Sequence, residues 1–561
     1  MDPSPTATTD PLPPPPPPPR PLILIVCHAL TGHLAPMLRI SSALCSRGWT
    51  VYFLGPRAQG PRIAGTGATF VALRGRADLS DEAYYAAPPV AGYAGLPWHE
   101  RVLVDLREQV LEPLPDAWAS VRAALRLMRA SEHKTRDVLV LAEAFFYGIL
   151  PLRYGAPVYD EEEEEGEGEG ERPRPRPRSL CVSVTLPAVR CAELPPLGYG
   201  GMLALAGGGE SGAREKERGE RLWRAWARKA APLTELLARK LREAGATRDL
   251  DPDHVFLSGE NYVCHERILQ LGVPGFEYPR ASWPAGFRFV GLVQGGGSKK
   301  EEKGIGKEDT PDFPWWPDVL ANSASLRADD PGRKKIVVVA QGTVETNPHD
   351  LIIPTIRAFA DPSSVSRYIV VAILGWKSAR LTSLSASSTI TTDHPSPPPS
   401  DPASITTPTA DADADAIPPN AHIAPYLSYD AVLPHADAWV HNGGFGAVSH
   451  GIVHGVPMVV AGEGMDKGEN AARVAWSGIG VDLRCGARAS AAAVREGVEY
   501  VLRDEEEEGR EEGNQGGRRR GTPRQRIQEL RKENEAMDCF RIVEEELWSV
   551  AGTPNPEVMM N

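Results

Sequence analysis

The stretch 423–482, IAPYLSYDAVLPHADAWVHNGGFGAVSHGIVHGVPMVVAGEGMDKGENAARVAWSGIGVD, leaves this chain little choice of fold. Residues 436–440 form a short, mostly apolar run of strand length, ended by His441-Asn442-Gly443-Gly444. Residues 445–454 read as a helix, with Gly455 where a left-handed C-cap residue is wanted. Residues 456–461 are apolar throughout, as a strand covered on both faces should be. A second helix over about 468–477 stops at Gly478 and leads into a strand at 479–483. This is a βαβαβ unit of a parallel sheet. Two glycines between a strand and a helix let the backbone approach a ligand closely. The helix N-terminus then offers free N–H groups to an anion, so the unit suits phosphate.

Three features accompany the Gly-Gly turn: Gly455-Val456-Pro457, Asp466-Lys467 in the next loop, and Asn470 just inside the second helix. Together they resemble the donor-binding signature of the family-1 glycosyltransferases, which use UDP-sugars, and the surrounding residues are closest to the filamentous-fungal branch. Residues 276–293, FEYPRASWPAGFRFVGLV, resemble the same family near the end of its N-terminal domain. The resemblance implies an α/β chain of GT-B architecture, with two Rossmann-like domains facing a central crevice and a C-terminal helix bracing the N-terminal domain.

The length of 561 residues accommodates two domains. The expected layout is a Pro-rich tail over 1–20, an acceptor-binding domain over 21–293, a linker over 294–330, a nucleotide-sugar-binding domain over 331–522, and a C-terminal helix and tail over 523–561. Four polar runs, about 160–178, 206–220, 378–417 and 504–521, have too little apolar content to pack and read as disordered insertions. Expected strands in the first domain lie at 22–28, 50–54, 68–73, 137–142, 180–185, 255–257 and 287–292. A loop over 29–34 should precede a helix opened by Pro36, a long helix should cover 221–244, and another should cover 523–549.

Several function classes are excluded or disfavoured. No G-x-G-x-x-G follows the first strand, which argues against a nicotinamide enzyme. The net charge of −13 argues against a nucleic-acid surface. Seven scattered cysteines without metal-ligand spacing read as reduced thiols of a cytoplasmic protein. No signal peptide or membrane-spanning run is visible, and a monomer is expected. The Asp411-Ala412-Asp413 pattern lies in an Ala/Asp repeat and reads as solvated charge, so no metal is expected.

The chemistry centres on two histidine-rich turns. His33 stands near a helix N-terminus, whose positive end disfavours imidazolium and keeps the ring able to accept a proton. Gly32-His33-Leu34-Ala35-Pro36 matches the family's Gly-His-x-x-Pro motif, which implies that His33 is the catalytic base and leaves His28 as a structural strand-end residue. A base histidine works best with a carboxylate fixing its tautomer. The family uses an Asp at a later strand end, where this chain has Glu143. On the donor side the resemblance places Gly342-Thr343, Asn442, Gly443, Gly444, His450, Asp466, Lys467 and Asn470 around the nucleotide sugar. Asn442 replaces the diphosphate-binding His, and His450 stands where a ribose-binding Glu is usual. Asp466 and Lys467 occupy the positions that hold the sugar hydroxyls, and Tyr426 and Tyr429 are candidates for stacking on uracil. The implied function is an inverting, metal-independent transfer of a sugar, glucose from UDP-glucose, to a hydroxyl of a small lipophilic acceptor of secondary metabolism. A degenerate member that binds nucleotide or lipophile without turnover, and a sugar-nucleotide epimerase on the same architecture, stay open as alternatives.

Overall fold

The computed structural model describes residues 20–80, 84, 87, 89–130, 136–159, 176–199, 210–293, 312–324, 332–342, 347–385, 388, 390, 415–462, 464–485, 488–503 and 521–552. The first half holds strands β1 (Leu22–Val26), β2 (Val51–Gly55), β3 (Thr69–Ala72), β4 (Val138–Glu143), β5 (Arg178–Ser183), β6 (Arg267–Leu271) and β7 (Phe287–Gly291). They form a parallel sheet in the order β3-β2-β1-β4-β5-β6-β7. Among its helices are α1 (Thr31–Ser46), α2 (Leu114–Ala130) and α3 (Glu210–Glu243). All five residues of β1, LILIV, are buried, as a strand covered on both faces requires.

After α4 (Trp316–Ala324), the second half runs β8 (Lys335–Ala340), α5 (Ile352–Ala358), β9 (Tyr368–Ile373), β10 (Ala421–Ala424), α6 (Tyr429–Val432) and β11 (Ala438–His441). Then come α7 (Phe445–His454), β12 (Met458–Val460), α8 (Lys467–Ser477), β13 (Gly480–Asp482) and α9 (Ala491–Leu502). The parallel order is β10-β9-β8-β11-β12-β13. Gly455 and Gly478 cap α7 and α8 in the left-handed conformation, as their positions predict. Ser490 caps α9 through its side chain. In each sheet the winding reverses once, between β1 and β4 and between β8 and β11. Open α/β sheets bind ligands at the strand ends of that switch point.

The chain closes with α10 (Pro523–Glu535) and α11 (Cys539–Ala551). α10 starts at a Thr522–Gln525 capping box, and its Ile527 and Leu530 enter the core of the second half. α11 returns to the first sheet, where Trp548 packs on Trp49 at 4.9 Å and Glu544 accepts the Trp49 indole N–H at 2.7 Å. All seven cysteines are free thiols. Among the described residues, no helix is long and apolar enough to cross a membrane.

Six expectations need correction. The helix carrying His33 begins at Thr31, so residues 31–34 are not loop and Pro36 sits inside α1 rather than opening it. The long helix begins at Glu210, so 210–220 is helix rather than disordered insertion. Its all-polar surface is supported by pairs such as Glu215–Arg218 and Glu217–Arg221 at helical spacing. Residues 255–257 form a turn, not a strand: Leu257 has φ +61°, and Glu260 accepts the N–H groups of Leu257, Ser258 and Gly259. The missing strand is β6, whose apolar pattern is broken by buried Gln270, donating to the Thr185 carbonyl at 2.7 Å. The 294–330 linker contains α4, whose Trp316 and Val319 are core residues. The expected single helix over 523–549 breaks where Asp538 caps α11.

The expected insertions also shrink at their edges. Arg178 opens β5, and of 378–417 the flanks pack: Ala379, Leu381 and Leu384 are buried, and the Leu384 carbonyl accepts from Arg357. The rest of that insertion, the bodies of the 160–178 and 504–521 runs, and residues 206–209 and 1–19 lie outside the described residues.

The two halves are joined by charge as well as by apolar packing. Arg473 on α8 is 1% exposed and forks onto Glu277 of the first half at 2.9 and 3.1 Å. Its remaining nitrogen meets Glu469 at 3.2 Å, and Glu469 accepts the Gly198 N–H across the same boundary. Tyr278 lies under the guanidinium at 4.4 Å. Arg473→Met removes the cation that bridges two buried carboxylates, leaving Arg280 at 3.8 Å from Glu277, and should cost about 3 kcal/mol, whereas Arg473→Met with Glu277→Gln should cost less. Denaturant unfolding measures both; a single variant as stable as the parent would show that water compensates the pair.

Candidate active site

His33 lies in the first turn of α1, just past the C-terminal end of β1, and Glu143 is the last residue of β4. The two therefore face each other across the switch point of the first sheet. His33 Nδ1 is 2.9 Å from Glu143 Oε1, which also accepts the Phe145 N–H at 2.9 Å. Burial alone would raise the Glu143 pKa, but the charge and hydrogen bond of His33, with His28 and the Phe145 N–H, hold it below its ordinary value. A carboxylate at Nδ1 makes that nitrogen the donor and leaves Nε2 as the acceptor. Glu143 Oε2 is buried without a hydrogen-bond partner among the described residues.

His28 is used differently. Its Nδ1 accepts the Leu30 N–H at 3.3 Å, so Nε2 donates to the Gln109 carbonyl at 3.0 Å. It braces the turn into α1 and borders a cavity lined by Leu30, Tyr84, Val110, Phe145 and Phe146.

At the second sheet's switch point, the Asn442 amide donates to the Gln341 carbonyl, joining the ends of β11 and β8. Gly443, at φ +89°, has Lys467 O and Val460 within 3.0 Å of where a side chain would begin, so only glycine fits. Gly444 caps α7, and among the described residues a side chain at Gly342, Gly444 or Gly446 would meet nothing within 4 Å. Gly32, in α1, borders open space in the same way. Backbone N–H groups at the start of α7 thus adjoin room for an anion. Thr343 lies outside the described residues.

Asp466 precedes α8, and burial raises its pKa against the lowering effects of Lys467, Asn470 and His33. His33 is therefore within electrostatic reach of Asp466, although the two belong to different sheets. Lys467 is buried in the first turn of α8.

Three residues sit otherwise than expected. Asn470 is fully buried, and its amide ties the Gly443 carbonyl (2.8 Å) to Asp466 (3.0 Å), making it a positioning residue for the Gly-Gly turn. His450 turns its Nδ1 onto Asp430 at 2.9 Å. Tyr429 packs edge-on against Trp439 and His450, which leaves Tyr426, 45% exposed, as the more accessible ring. His441 continues β11 fully buried, accepts the Gly443 N–H, and is pushed down to about 3 by burial, so it is neutral.

The residues missed from sequence are Arg39, Glu277, Asp430 and Arg473. Charged residues inside otherwise apolar helix faces were the available signal for Arg473; Asp430 carried none, because its partners lie on two other helices, α1 and α7.

Residues 404–515 match the family model described as Erythromycin biosynthesis protein CIII-like, C-terminal domain. UDP-glucosyltransferase B1 of Starmerella bombicola is 29% identical over 488 residues, covering 86% of this chain and 91% of that protein. The crystal structure of the glycotransferase of kitacinnamycin superposes with TM-score 0.53 at 18% identity, covering 94% of this chain and all of that one. That of the calicheamicin glycosyltransferase CalG4 gives 0.53 at 16% identity, covering 96% and 100%. These two likenesses establish the GT-B fold. UDP-glucosyltransferase 1 of Beauveria bassiana is 30% identical over 526 residues, 92% of each chain. Similarity of that extent, through both sheets and the turns between them, makes this chain a member of the family-1 UDP-glycosyltransferases.

Proposed function

We propose that the protein transfers glucose from UDP-glucose to a hydroxyl of a small lipophilic acceptor, with inversion at the anomeric carbon. The observation that carries this reading is the 2.9 Å His33–Glu143 bond at one switch point, set against the glycine-bordered space at the other. The printed names of the relatives from Starmerella bombicola and Beauveria bassiana support the donor class.

An acceptor hydroxyl beside His33 gives its proton to Nε2 as its oxygen attacks the anomeric carbon. The bond from that carbon to the β-phosphate oxygen breaks on the opposite face, and UDP leaves with the electron pair. Glu143 holds Nδ1–H and stabilises the imidazolium that forms. N–H groups at the start of α7 take up the charge developing on the diphosphate, so the transfer draws its electrostatic stabilisation from the backbone and asks for no metal. In this reading Asp466 holds sugar hydroxyls, with Lys467 beside it. The small cavity beside Phe145 and Leu30, lined in part by Leu73, Leu79 and Val110, offers apolar surface on the acceptor side.

His33→Ala should lower turnover about a hundredfold to ten-thousandfold with UDP affinity kept. Glu143→Gln should lower it less, and the double variant should be scarcely slower than His33→Ala, since orienting an absent base has no value. Turnover of the four forms at saturating UDP-glucose decides; losses that multiply would separate Glu143 from the base.

Gly444 has φ −59° and ψ 140°, a conformation open to any residue. Gly444→Val should therefore leave the melting temperature nearly unchanged while its side chain occupies the anion space, weakening UDP at least about tenfold, some 1.4 kcal/mol. Calorimetry with UDP measures this, and unaltered affinity would place the diphosphate elsewhere.

A further inference from the structure

Two helix residues one turn apart, His450 and His454, converge on a single carboxylate oxygen. His450 Nδ1 lies 2.9 Å from Asp430 Oδ1, and His454 Nε2 lies 2.8 Å from the same atom. The two imidazoles are parallel within 5°. One ligand atom from each of the three residues falls within a 4.8 Å cluster, the only such group of His, Cys, Asp or Glu among the described residues that could hold a metal. The side chains are partly exposed (25%, 16% and 22%), so an ion can reach them. Arg39 of α1 holds the other carboxylate oxygen at 2.6 Å, which fixes the orientation of Oδ1 toward the histidines.

We propose that Asp430, His450 and His454 form a binding site for a divalent transition metal ion of the Zn²⁺ class. Two imidazole nitrogens and one carboxylate oxygen are a borderline donor set that suits Zn²⁺ or Co²⁺ and not Mg²⁺ or Ca²⁺, which prefer all-oxygen shells. Tetrahedral ligands at about 2.0–2.1 Å from a metal stand roughly 3.3 Å apart, so each nitrogen–oxygen spacing needs to open by about half an ångström, and the three atoms already lie within 4.8 Å of one another. Entry of the ion requires the ring nitrogens that face Asp430 to offer it their lone pairs, with any proton on them passing to the other ring nitrogen or to water. Three protein ligands leave a fourth position for water or another small ligand. Arg39 acts as an outer partner of the carboxylate, as metal ligands commonly have. The site is distinct from the transfer chemistry: His450 and His454 lie in the second and third turns of α7, about 7–14 Å along the helix from its first residue. Its location between α1 and α7 makes the ion a clamp between the two sheets, because Arg39 comes from one and the ligands from the other.

The test uses the full chain without a polyhistidine tag, stripped with chelator and titrated with Co²⁺ and with Zn²⁺. One equivalent of Co²⁺ should bind and give visible ligand-field bands without the near-ultraviolet absorption of thiolate coordination. Zn²⁺ should displace it and raise the melting temperature, and Mg²⁺ should do neither. His454→Gln retains a hydrogen-bond donor for Asp430 yet removes the imidazole, so it should fold, keep its metal-free glucosyl transfer, and bind Co²⁺ at least tenfold more weakly. Asp430→Asn should lose the ion as well. Equal Co²⁺ binding by the parent and a folded His454→Gln, thiolate absorption on titration, or no binding at all would overturn the proposal.

Discussion

The ion pair between Arg473 and Glu277 sets the geometry on which the reaction space depends. A guanidinium 1% exposed is tolerable only because Glu277 and Glu469 satisfy it on two sides and Tyr278 covers its face. Arg473 lies on α8, and the same helix carries Lys467 and Asn470 and follows directly from Asp466. Holding α8 against the first half therefore fixes Asp466 and its loop relative to His33. The apolar core around α10 brings the halves together without direction, whereas the fork fixes their angle.

Both sheets solve the same problem at their switch points. The strands flanking each winding reversal diverge at their ends, and one side-chain bond crosses each gap: His33 to Glu143 in the first sheet, Asn442 to the Gln341 carbonyl in the second. Around these bonds lie buried polar atoms without partners among the described residues: Glu143 Oε2, His441 Nε2 and Asn470 Oδ1. Buried groups are ordinarily paired, and these three leave hydrogen-bonding capacity open at the two strand ends.

The parts of this molecule with strong local signals were legible in the sequence. The stretch from β11 to β13 followed from its glycines and apolar runs, and the C-caps Gly455 and Gly478 stand where read. Glu143 could be placed because it ends an apolar run, and that run is β4. What was hidden depended on tertiary partners. β6 was obscured because Gln270 is satisfied by a carbonyl distant in sequence. The first turns of α3 looked unstructured because their support comes from charge pairs rather than an apolar stripe. Flanks of the 378–417 run looked solvated because isolated Leu381 and Leu384 gain meaning only against α5 and its neighbours. At the site, the motif identified His450 but could not show that Asp430, twenty residues earlier, would claim its ring.

The return of α11 to the first sheet has a consequence for how the protein is made. Trp49 and Glu544, which hydrogen-bond in the finished core, are 495 residues apart. At a synthesis rate of about 5–20 residues per second, Trp49 emerges roughly 25–100 s before its partner exists. Until then the part of α1, and of β5–β7 once they are made, that α11 covers is exposed apolar surface on a nascent chain. The enzyme's vulnerable state is thus a long-lived translation intermediate, and codon choice or chaperone supply late in the message bears on the fate of a domain begun at its start.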